Sequence, residues 1–520
     1  MNRTPSFRPY EQRQLSLLPI DLDELIPENH MVRVVDRAIE KMNTKPLFDR
    51  YPGGGTSAYN PVMMLKVIVY AYADKIYSSR KIAKATRENI NFLWLTGNTQ
   101  LDFMTINRFR SERLEGIIDK IFTEVVDLLM KEGYIRFENY FLDGTKIEAN
   151  AGKYSWVWGK STKRYKENLR KKVSAHLAAI DIIEREEKEE LGDKDLPEMG
   201  SGKEIDSEAI REAASRIDER LAGNPDDKAL KKAKKAIEKD YLPRMEKYEK
   251  QEEILEERRS YSKTDTDATF MRMKEDHMKN GQLKPGYNVQ IGTENQFVTG
   301  YSIHRRPGDT SCMKTHLEHI KNQYGRLPDS VTADAGYGSE ENYEYFEKEN
   351  IEYFVKYNTY HKEKSAKWKN DPTKVQNWYY DENNDEYICG MCRRFIFLHE
   401  KRQKSDNGYK STVRVYECEG CGGCPHRQKC IKADNPEADR RIYINRRLNE
   451  LKKKARANLD SEKGKVMRSK RPVEVESVFG DIKGNFGVRR FLLRGLEKVK
   501  IEWGLYSIGH NMRKMVAAGV

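Results

Sequence analysis

Two short apolar segments, each ending in an aspartate, place the strongest constraint on the fold of this 520-residue chain. Residues 140–142 (YFL) lead into Asp143, and residues 330–333 (SVTA) lead into Asp334. Short apolar runs of this kind are typical of buried central strands. After residue 286, strand-like and helix-like segments alternate, so the order of elements predicts a mixed α/β sheet.

The overall charge is basic. The chain carries 95 Lys and Arg residues against 82 Asp and Glu residues, a net charge of +13. This excess is compatible with nucleic-acid binding but does not identify it, because solvated helix faces also carry many charges. No run of 18 apolar residues occurs, and the first residues lack a signal-like apolar stretch. We therefore expect a cytoplasmic protein that does not enter a membrane.

The first 135 residues have a helical pattern. Asn60-Pro61 supplies a cap residue and then a proline at the first helical position, and Ser78 and Asp102 precede two further short helices. Three short helices with such turns fit either a helix-turn-helix-like unit or an ordinary helical bundle. Spacing alone does not distinguish these two readings.

The two aspartates form a candidate site if their strands are neighbours. Adjacent strands lie about 5 Å apart, so Asp143 and Asp334 then face each other. Two carboxylates at this range repel unless a cation such as Mg²⁺ or Mn²⁺ lies between them. Taken alone, however, an aspartate at a strand end is commonly a cap or turn residue.

A third acidic residue is expected on the segment that follows Val473. Glu474 and Glu476 point about 200° apart on a helix, so only one of them can reach the aspartates. Glu476 and Lys483 are seven residues apart and share a face. A carboxylate that binds metal and a lysine that binds phosphate suit DNA cleavage, although a solvent-facing Glu/Lys pair has the same spacing.

Six of the seven cysteines lie between Cys389 and Cys430. Cys389-x2-Cys392 precedes an apparent hairpin with a turn at Asp406-Asn407-Gly408, and antiparallel pairing returns Cys418 and the later cysteines to the same end. This spacing predicts a metal site rather than disulfides, with zinc favoured over an iron–sulfur cluster.

Four sequence blocks resemble a known family. FLDGTKIEANA, SKTDTDATFMRMK with GYNVQ, VTADAGYGSEENY and RPVEVESVFGDIKGNFGVRRFLLRGLEKVKIEW are similar to the blocks of bacterial insertion-sequence DDE transposases. PVMMLKVIVYAYADKIYSSRKI and LDFMTINRFR are similar to the helical domain that precedes the catalytic domain of that family.

The resemblance implies an RNase H-like fold with a DDE site formed by Asp143, Asp334 and Glu476. Two Mg²⁺ or Mn²⁺ ions held by these carboxylates would support phosphoryl transfer. A wider signature of Tyr, Arg, Glu and Lys fits Glu476 and Lys483, but Pro472 occupies the Arg position, with Arg471 beside it, and Ser469 the Tyr position. We expect the DNA contacts to come from Lys483, Arg489, Arg490 and Arg494.

The same resemblance bears on the cysteines, because Tyr-x-Cys and Cys-x2-Cys-Pro-x4-Cys segments recur in the family. It favours a structural zinc site made by Cys389, Cys421, Cys424 and Cys430, with Cys392 and Cys418 as alternates.

These observations divide the chain into six segments, three of which belong to the catalytic domain. They are a helical DNA-binding domain (1–135), the first part of the RNase H-like catalytic domain (136–159), a charged helical insertion (160–262), the second part of the catalytic domain (263–371), a Cys-rich metal-binding insertion (372–445) and a C-terminal catalytic part carrying the Glu helix (446–520).

The function that we expect is cleavage and joining of double-stranded DNA at transposon terminal inverted repeats, followed by transfer to target DNA. Holding two ends together requires at least two active sites, so a homodimer on DNA is expected. An RNase H-like nuclease that only hydrolyses DNA, and a non-catalytic zinc-containing DNA-binding regulator, remain the alternatives.

Overall fold

The computed structural model describes residues 21–51, 53, 57–191, 205–273, 282–405, 407–431 and 438–519, with side chains omitted for 181–191. The initial segment used in the signal-peptide argument and the first turn residue, Asp406, lie outside these ranges. Among the described helices, none has the length and apolarity needed to cross a bilayer.

Seven helices form the N-terminal region. Asn60 accepts hydrogen bonds from the backbone N–H groups of Val62 and Met63, and Asp102 caps a later helix in the same way, because carboxylate and amide oxygens satisfy the free N–H groups of a first turn. The helices are α1 (Met31–Glu40), α2 (Lys45–Phe48), α3 (Pro61–Ala73), α4 (Ser79–Glu88), α5 (Ile90–Thr96), α6 (Phe103–Arg108), which continues into a π-helical turn (Phe109–Arg113), and α7 (Ile118–Lys131).

A six-stranded mixed sheet follows, which confirms the predicted α/β class and the helical region before it. Its main order is β4-β5-β1-β7-β8, and β6 pairs with β5. The β5–β6 connection is a two-residue turn in which Asn295 and Gln296 both have positive φ, as tight hairpins require. The strands are β1 (Asn139–Glu148), β4 (Thr269–Arg272), β5 (Leu283–Glu294), β6 (Phe297–His304), β7 (Ser330–Ala333) and β8 (Glu352–Val355), whereas β2 (Trp156–Trp158) and β3 (Ser260–Ser262) form a separate pair.

The charged insertion forms its own small helical bundle between β2 and β3. Its helices pack around apolar side chains such as Leu169, Ile210 and Ile237, so the charged residues occupy the outer faces. The helices are α8 (Gly159–Leu191), α9 (Ser207–Gly223), α10 (Lys228–Ala236), followed by a π-helical turn (Ile237–Tyr241), and α11 (Leu242–Leu255).

Helices around the sheet and a second sheet complete the central part. The cysteine-rich segment pairs its strands in the order β13-β12-β11-β10-β9, with the predicted hairpin as β11–β12. The elements are α12 (Met313–Tyr324), α13 (Glu340–Lys348), α14 (Tyr360–Glu363), α15 (Ala366–Lys369), β9 (Tyr379–Asp381), β10 (Glu386–Ile388), β11 (Arg394–Lys404), β12 (Lys410–Cys418), α16 (Arg427–Cys430) and β13 (Arg441–Ile444), with short 3-10 turns at Ala335–Tyr337 and Val375–Asn377.

The C-terminal region contains a nearly continuous helical path. The π-helical turn that contains Gly484 ends at Asn485, and the next helix begins after Gly495. The elements are α17 (Arg446–Asp460), α18 (Glu462–Arg471), a π-helical turn (Pro472–Glu476), α19 (Ser477–Gly480), a second π-helical turn (Asp481–Asn485) and α20 (Leu496–Ala517).

One large core joins the two ends of the chain. Buried side chains of the N-terminal helices, the central strands and α20 form a single hydrophobic cluster. Two buried polar residues support it. The carboxylate of Glu294 accepts hydrogen bonds from all four backbone N–H groups of residues 136–139, and that of Glu502 accepts from the N–H groups of Leu492 and Leu493.

Candidate active site

Asp143 and Asp334 lie on adjacent parallel strands. β1 and β7 pair in the register Tyr140 to Val331 and Phe141 to Thr332, and two further steps bring Asp143 level with Asp334. Asp143 is buried, whereas the side chain of Asp334 is 44% exposed. The two strands therefore place the buried carboxylate of Asp143 beside the partly exposed carboxylate of Asp334.

The guanidinium of Arg471 joins these two aspartates to Glu476. Its Nη2 lies 3.0 Å from Oδ2 of Asp143 and 3.9 Å from Oδ2 of Asp334, and its Nη1 lies 3.8 Å from Oε1 of Glu476. The three acidic residues inferred from the sequence thus surround one point in space. Sequence reasoning had not assigned Arg471 a role at this point.

Backbone geometry explains how Arg471 reaches Glu476. Five residues of α-helix rotate a side chain by about 500°, or 140° away from the starting face. Here the segment Pro472–Glu476 is a π-helical turn, which takes one additional residue per hydrogen-bonded ring. Pro472 has no N–H to complete an α-helical turn at this position. The wider turn returns Glu476 to the face of Arg471.

The side chain of Glu474 points away from the Arg471 guanidinium and the two aspartates. It is buried, and its Oε2 accepts a hydrogen bond of 2.7 Å from the backbone N–H of Gln296. Burial raises the pKa of Glu474. Glu474 therefore fastens the helical segment to the β5–β6 turn, while Glu476 remains beside the aspartates.

The donor chemistry of this site fits a hard divalent cation, because Mg²⁺ and Mn²⁺ prefer carboxylate oxygens. Within the described residues, however, no three His, Cys, Asp or Glu side chains are arranged to hold a metal ion as they stand. The Arg471 guanidinium lies among the carboxylates and supplies the positive charge. Its Nε is buried and has no hydrogen-bond partner among the described groups.

A polar network lies behind the two aspartates, on the opposite face of β1 and β5. Asn288 and Gln290 each donate a side-chain hydrogen bond to Oδ1 of Asp309, at 2.8 and 3.1 Å, and the hydroxyl of Tyr337 donates to Oε1 of Gln290. Gly144 provides the necessary space, since a Cβ there would lie 2.2 Å from Nε2 of Gln290.

This network also reaches the turn that carries Asp334. Thr310 donates to the carbonyl of Gly336, and Asn342 donates to the carbonyls of Thr310 and Tyr337 at 2.9 and 2.8 Å. Burial, reinforced by Asp309, Asp143 and Asp334, raises the pKa of Tyr337, so its hydroxyl stays protonated and can donate. Sequence reasoning missed these residues, although polar Asn288 and Gln290 within an otherwise apolar strand were a visible signal.

The four candidate DNA contacts have different surroundings. Lys483 lies in the second π-helical turn, seven residues after Glu476. Arg489 is exposed. Arg490 donates from Nε to the carbonyl of Ala149 at 3.1 Å, and Arg494 donates from Nε to that of Asn150 at 2.7 Å. The last two arginines therefore also hold the loop after β1.

Five cysteines line a small cavity in the cysteine-rich segment, although no three of them among the described residues are arranged to hold a metal ion as they stand. The cavity is about 20 Å³, and its walls include Cys389, Cys418, Cys421, Cys424 and Cys430. Strand pairing explains this, because Phe395 is opposite Cys418. Burial raises the pKa of the Cys418 thiol to about 12. The exposed Cys392 does not line the cavity.

Two family models match parts of the chain. Residues 20–112, which cover most of the N-terminal helices, match a transposase domain (DUF772), and residues 388–516, which include the cysteine-rich segment and Glu476, match a transposase DDE domain. No curated protein matches the chain. Each match covers a part of the chain, and together they support an assignment to the insertion-sequence DDE transposase family.

Proposed function

We propose that this protein cleaves and joins DNA at the terminal inverted repeats of an insertion sequence, with Asp143, Asp334 and Glu476 as the catalytic carboxylates of an RNase H-like domain. The contacts of all three with the single guanidinium of Arg471 carry this proposal. A set of three carboxylates drawn from distant segments has no need to converge in a protein that merely binds DNA.

A divalent metal, Mg²⁺ or Mn²⁺, would be held by these three residues. When bound, it supplies activation of the attacking oxygen and stabilisation of the leaving oxygen. Asp143 is buried and accepts a hydrogen bond at 2.8 Å from the N–H of Gly144, which fixes its orientation. Asp334 and Glu476 are more exposed, and Oδ1 of Asp334 accepts a hydrogen bond of 2.8 Å from the N–H of Gly336.

Arg471 has a second role in this proposal. Metal binding requires the guanidinium to leave the space between the carboxylates, and its unpaired Nε then becomes available to a DNA phosphate. Lys483 and Arg489 bind phosphates further along the strand, whereas Arg490 and Arg494 bind DNA while holding the loop after β1. Two protomers would hold the two transposon ends.

A structural zinc ion would complete the cysteine-rich segment. We assign it to Cys389, Cys421, Cys424 and Cys430, because thiolates are the ligands of closed zinc sites and these four line one cavity. Cys418 lines the same cavity and is the better alternate, since Cys392 lies outside it. The ion would stabilise the β11–β12 hairpin and take no part in cleavage.

The test is Mg²⁺-dependent cleavage and joining of labelled duplex DNA carrying the element's own terminal repeats. Glu476→Gln should bind the DNA but neither cut nor join it. Glu474→Gln is the matched control, because Glu474 lies two residues away and contacts Gln296 instead of the aspartates, and it should retain activity. Wild-type protein that cuts without joining would indicate a nuclease, and one that binds without cutting would indicate a regulator.

A further inference from the structure

A wide cleft separates the catalytic sheet from the cysteine-rich hairpin. Its volume is about 960 Å³, and its walls come from β4 and β5 on one side and from the tip of the β11–β12 hairpin on the other. Tyr409 at this tip donates a hydrogen bond of 2.8 Å to Glu344 of α13, which fixes the hairpin beside the sheet. Lys146, three residues beyond Asp143 on β1, lines the same cleft.

Aromatic rings lead from the surface into this cleft. Tyr154 is 79% exposed and lies 6.1 Å from Trp156, which is 41% exposed. Trp156 lies 5.6 Å from Phe270, and Phe270 lies 6.1 Å from Trp158. Phe270 and Trp158 line the cleft itself. Phe270 is only 5% exposed, so Trp158 is the ring of this series that a ligand in the cleft can reach, while Tyr154 and Trp156 lie outside the cleft lining.

The charge of the cleft is basic. Its lining contains six basic side chains and three acidic ones. Glu257 pairs with Arg306, which also lines the cleft, and Arg305 pairs with Glu256. Glu341 lies 3.7 Å from Lys314, and Glu340 accepts a hydrogen bond from Asn445. The remaining basic side chains of the lining, Lys146, Arg258, Arg259 and Arg272, outnumber these two acidic ones.

We propose that this cleft binds single-stranded DNA, and this inference rests on the proposed function because it names the form of DNA held beside that site. Ring faces can stack only on unpaired bases, and basic side chains can follow the phosphates, which is the combination found in proteins that bind single strands. The volume is that of a pocket for a ligand of small-molecule size, which is enough for a few nucleotides of one strand.

Strand separation near the cut provides a source for such a strand. The cleft shares β1 with the acidic site, and Thr310 and Ser311, on the loop that is bonded to the turn after Asp334, also line it. Because side chains alternate along a strand, Lys146 lies on the face of β1 opposite to Asp143, so the cleft adjoins the network around Asp309, behind the acidic site.

The experiment measures binding of a fluorescein-labelled oligothymidine by fluorescence anisotropy. Trp158→Leu should weaken binding at least fivefold, because stacking on one ring contributes on the order of 1–3 kcal/mol. Tyr379→Ala is the matched control, since Tyr379 is also an exposed aromatic residue, at 65%, but lies in the cysteine-rich sheet away from this cleft. Arg272→Gln should reduce the salt dependence of binding.

A second measurement does not depend on the folding of variants. Binding of the oligothymidine to wild-type protein should quench tryptophan fluorescence, because bases stack directly on the indole ring of Trp158. Unchanged affinity in the Trp158→Leu variant, no quenching in the wild type, or equal competition by an oligoribonucleotide or by duplex DNA would each overturn the assignment. Cleavage of terminal-repeat duplex is measured on the same preparations, so failure of the proposed function is detected separately.

Discussion

Arg471 and Glu476 are five residues apart, yet Nη1 of the first lies 3.8 Å from Oε1 of the second. The π-helical turn Pro472–Glu476 makes this contact possible, and the same guanidinium reaches both aspartates. The signature of the family places an arginine where this chain has Pro472. The neighbouring Arg471 contacts all three acidic side chains through this wider turn.

Removal of the Arg471 side chain should change how the protein responds to metal. Arg471→Ala leaves three carboxylates without their counter-charge, so the variant should be less stable than wild type in the absence of divalent cations. Added Mg²⁺ should then raise its Tm more than that of wild type, because the guanidinium no longer competes for the carboxylates. Thermal unfolding with and without Mg²⁺ measures both effects.

The control for this experiment is Arg468→Ala, which removes a neighbouring guanidinium that lies 5.5 Å from the Tyr360 ring. An equal Mg²⁺ response in both variants would contradict competition at Arg471. DNA cleavage by Arg471→Ala should also fall strongly, while DNA binding through Lys483 and Arg489 persists.

Tyr337 should affect activity by holding the turn that carries Asp334 in place, and should not take part in the reaction itself. Tyr337→Phe removes the donor to Gln290 and leaves a buried acceptor unsatisfied, which should cost about 1–3 kcal/mol of unfolding free energy. The turn that carries Asp334 also loses its link to β5, so cleavage should slow and require more Mg²⁺. Urea unfolding and metal titrations of the cleavage rate measure the two consequences.

Tyr343→Phe provides a matched comparison, because the Tyr343 hydroxyl donates to the carbonyl of Val355 within the same hydrophobic cluster. We expect a similar loss of stability without a change in metal requirement. If the two variants have the same cleavage properties, the network behind the aspartates is purely structural.

The free energy of unfolding should fall at acid pH, because the protein contains buried histidines. His316 is fully buried between Tyr140 and Ser302, and His304 also contacts Ser302. Burial lowers the pKa of His304 to about 4 and lowers that of His316 as well. Because the unfolded state takes up protons near pH 6.5 and the folded state does not, their stabilising contribution is complete above that pH and declines toward pH 4.

The contribution of one histidine can be isolated by substitution. Between pH 6.5 and pH 4, wild type should lose unfolding free energy more steeply than His304→Gln, by up to about 1.4 kcal/mol per pH unit. Urea unfolding at a series of pH values gives the two slopes. Parallel slopes would show that His304 is protonated equally in both states.

The rate of thiol labelling should differ between the exposed and the buried cysteines. In metal-free protein the exposed Cys392 should react rapidly, whereas Cys418 should not, because burial raises its pKa to about 12 and leaves the thiol protonated. Zinc should additionally protect Cys389, Cys421, Cys424 and Cys430. Mass spectrometry after brief alkylation, with and without a chelator, tests both statements, and protection of Cys392 by zinc would favour the other alternate.

Local patterns were sufficient to predict the elements that depend on neighbours in sequence. The apolar runs before Asp143 and Asp334 predicted buried strands, and the structure makes these strands adjacent. The β5–β6 hairpin depends equally on local residues, since Asn295 and Gln296 alone form its turn. In each case a few residues determine the conformation, through alternation, capping or positive φ.

Features that depend on distant contacts escaped prediction. Pro472 disfavours an ordinary α-helical turn after Arg471, but the π-helical turn is also tied to the distant β5–β6 turn by the hydrogen bond from Gln296 to Glu474. The network around Asp309 joins strands, a loop and a helix that are far apart in sequence.

The N-terminal helices, the sheet and α20 share one hydrophobic core, so the distance between these helices and the carboxylates is fixed. If these helices bind a terminal repeat, they cannot swing relative to the carboxylates, because both are built on the same buried side chains. The number of base pairs between the recognised sequence and the cut bond is then set by the rigid body of the protein. A change of cutting position would require rebuilding of this core, whereas a change of recognised sequence needs only new side chains on the outer faces of the helices.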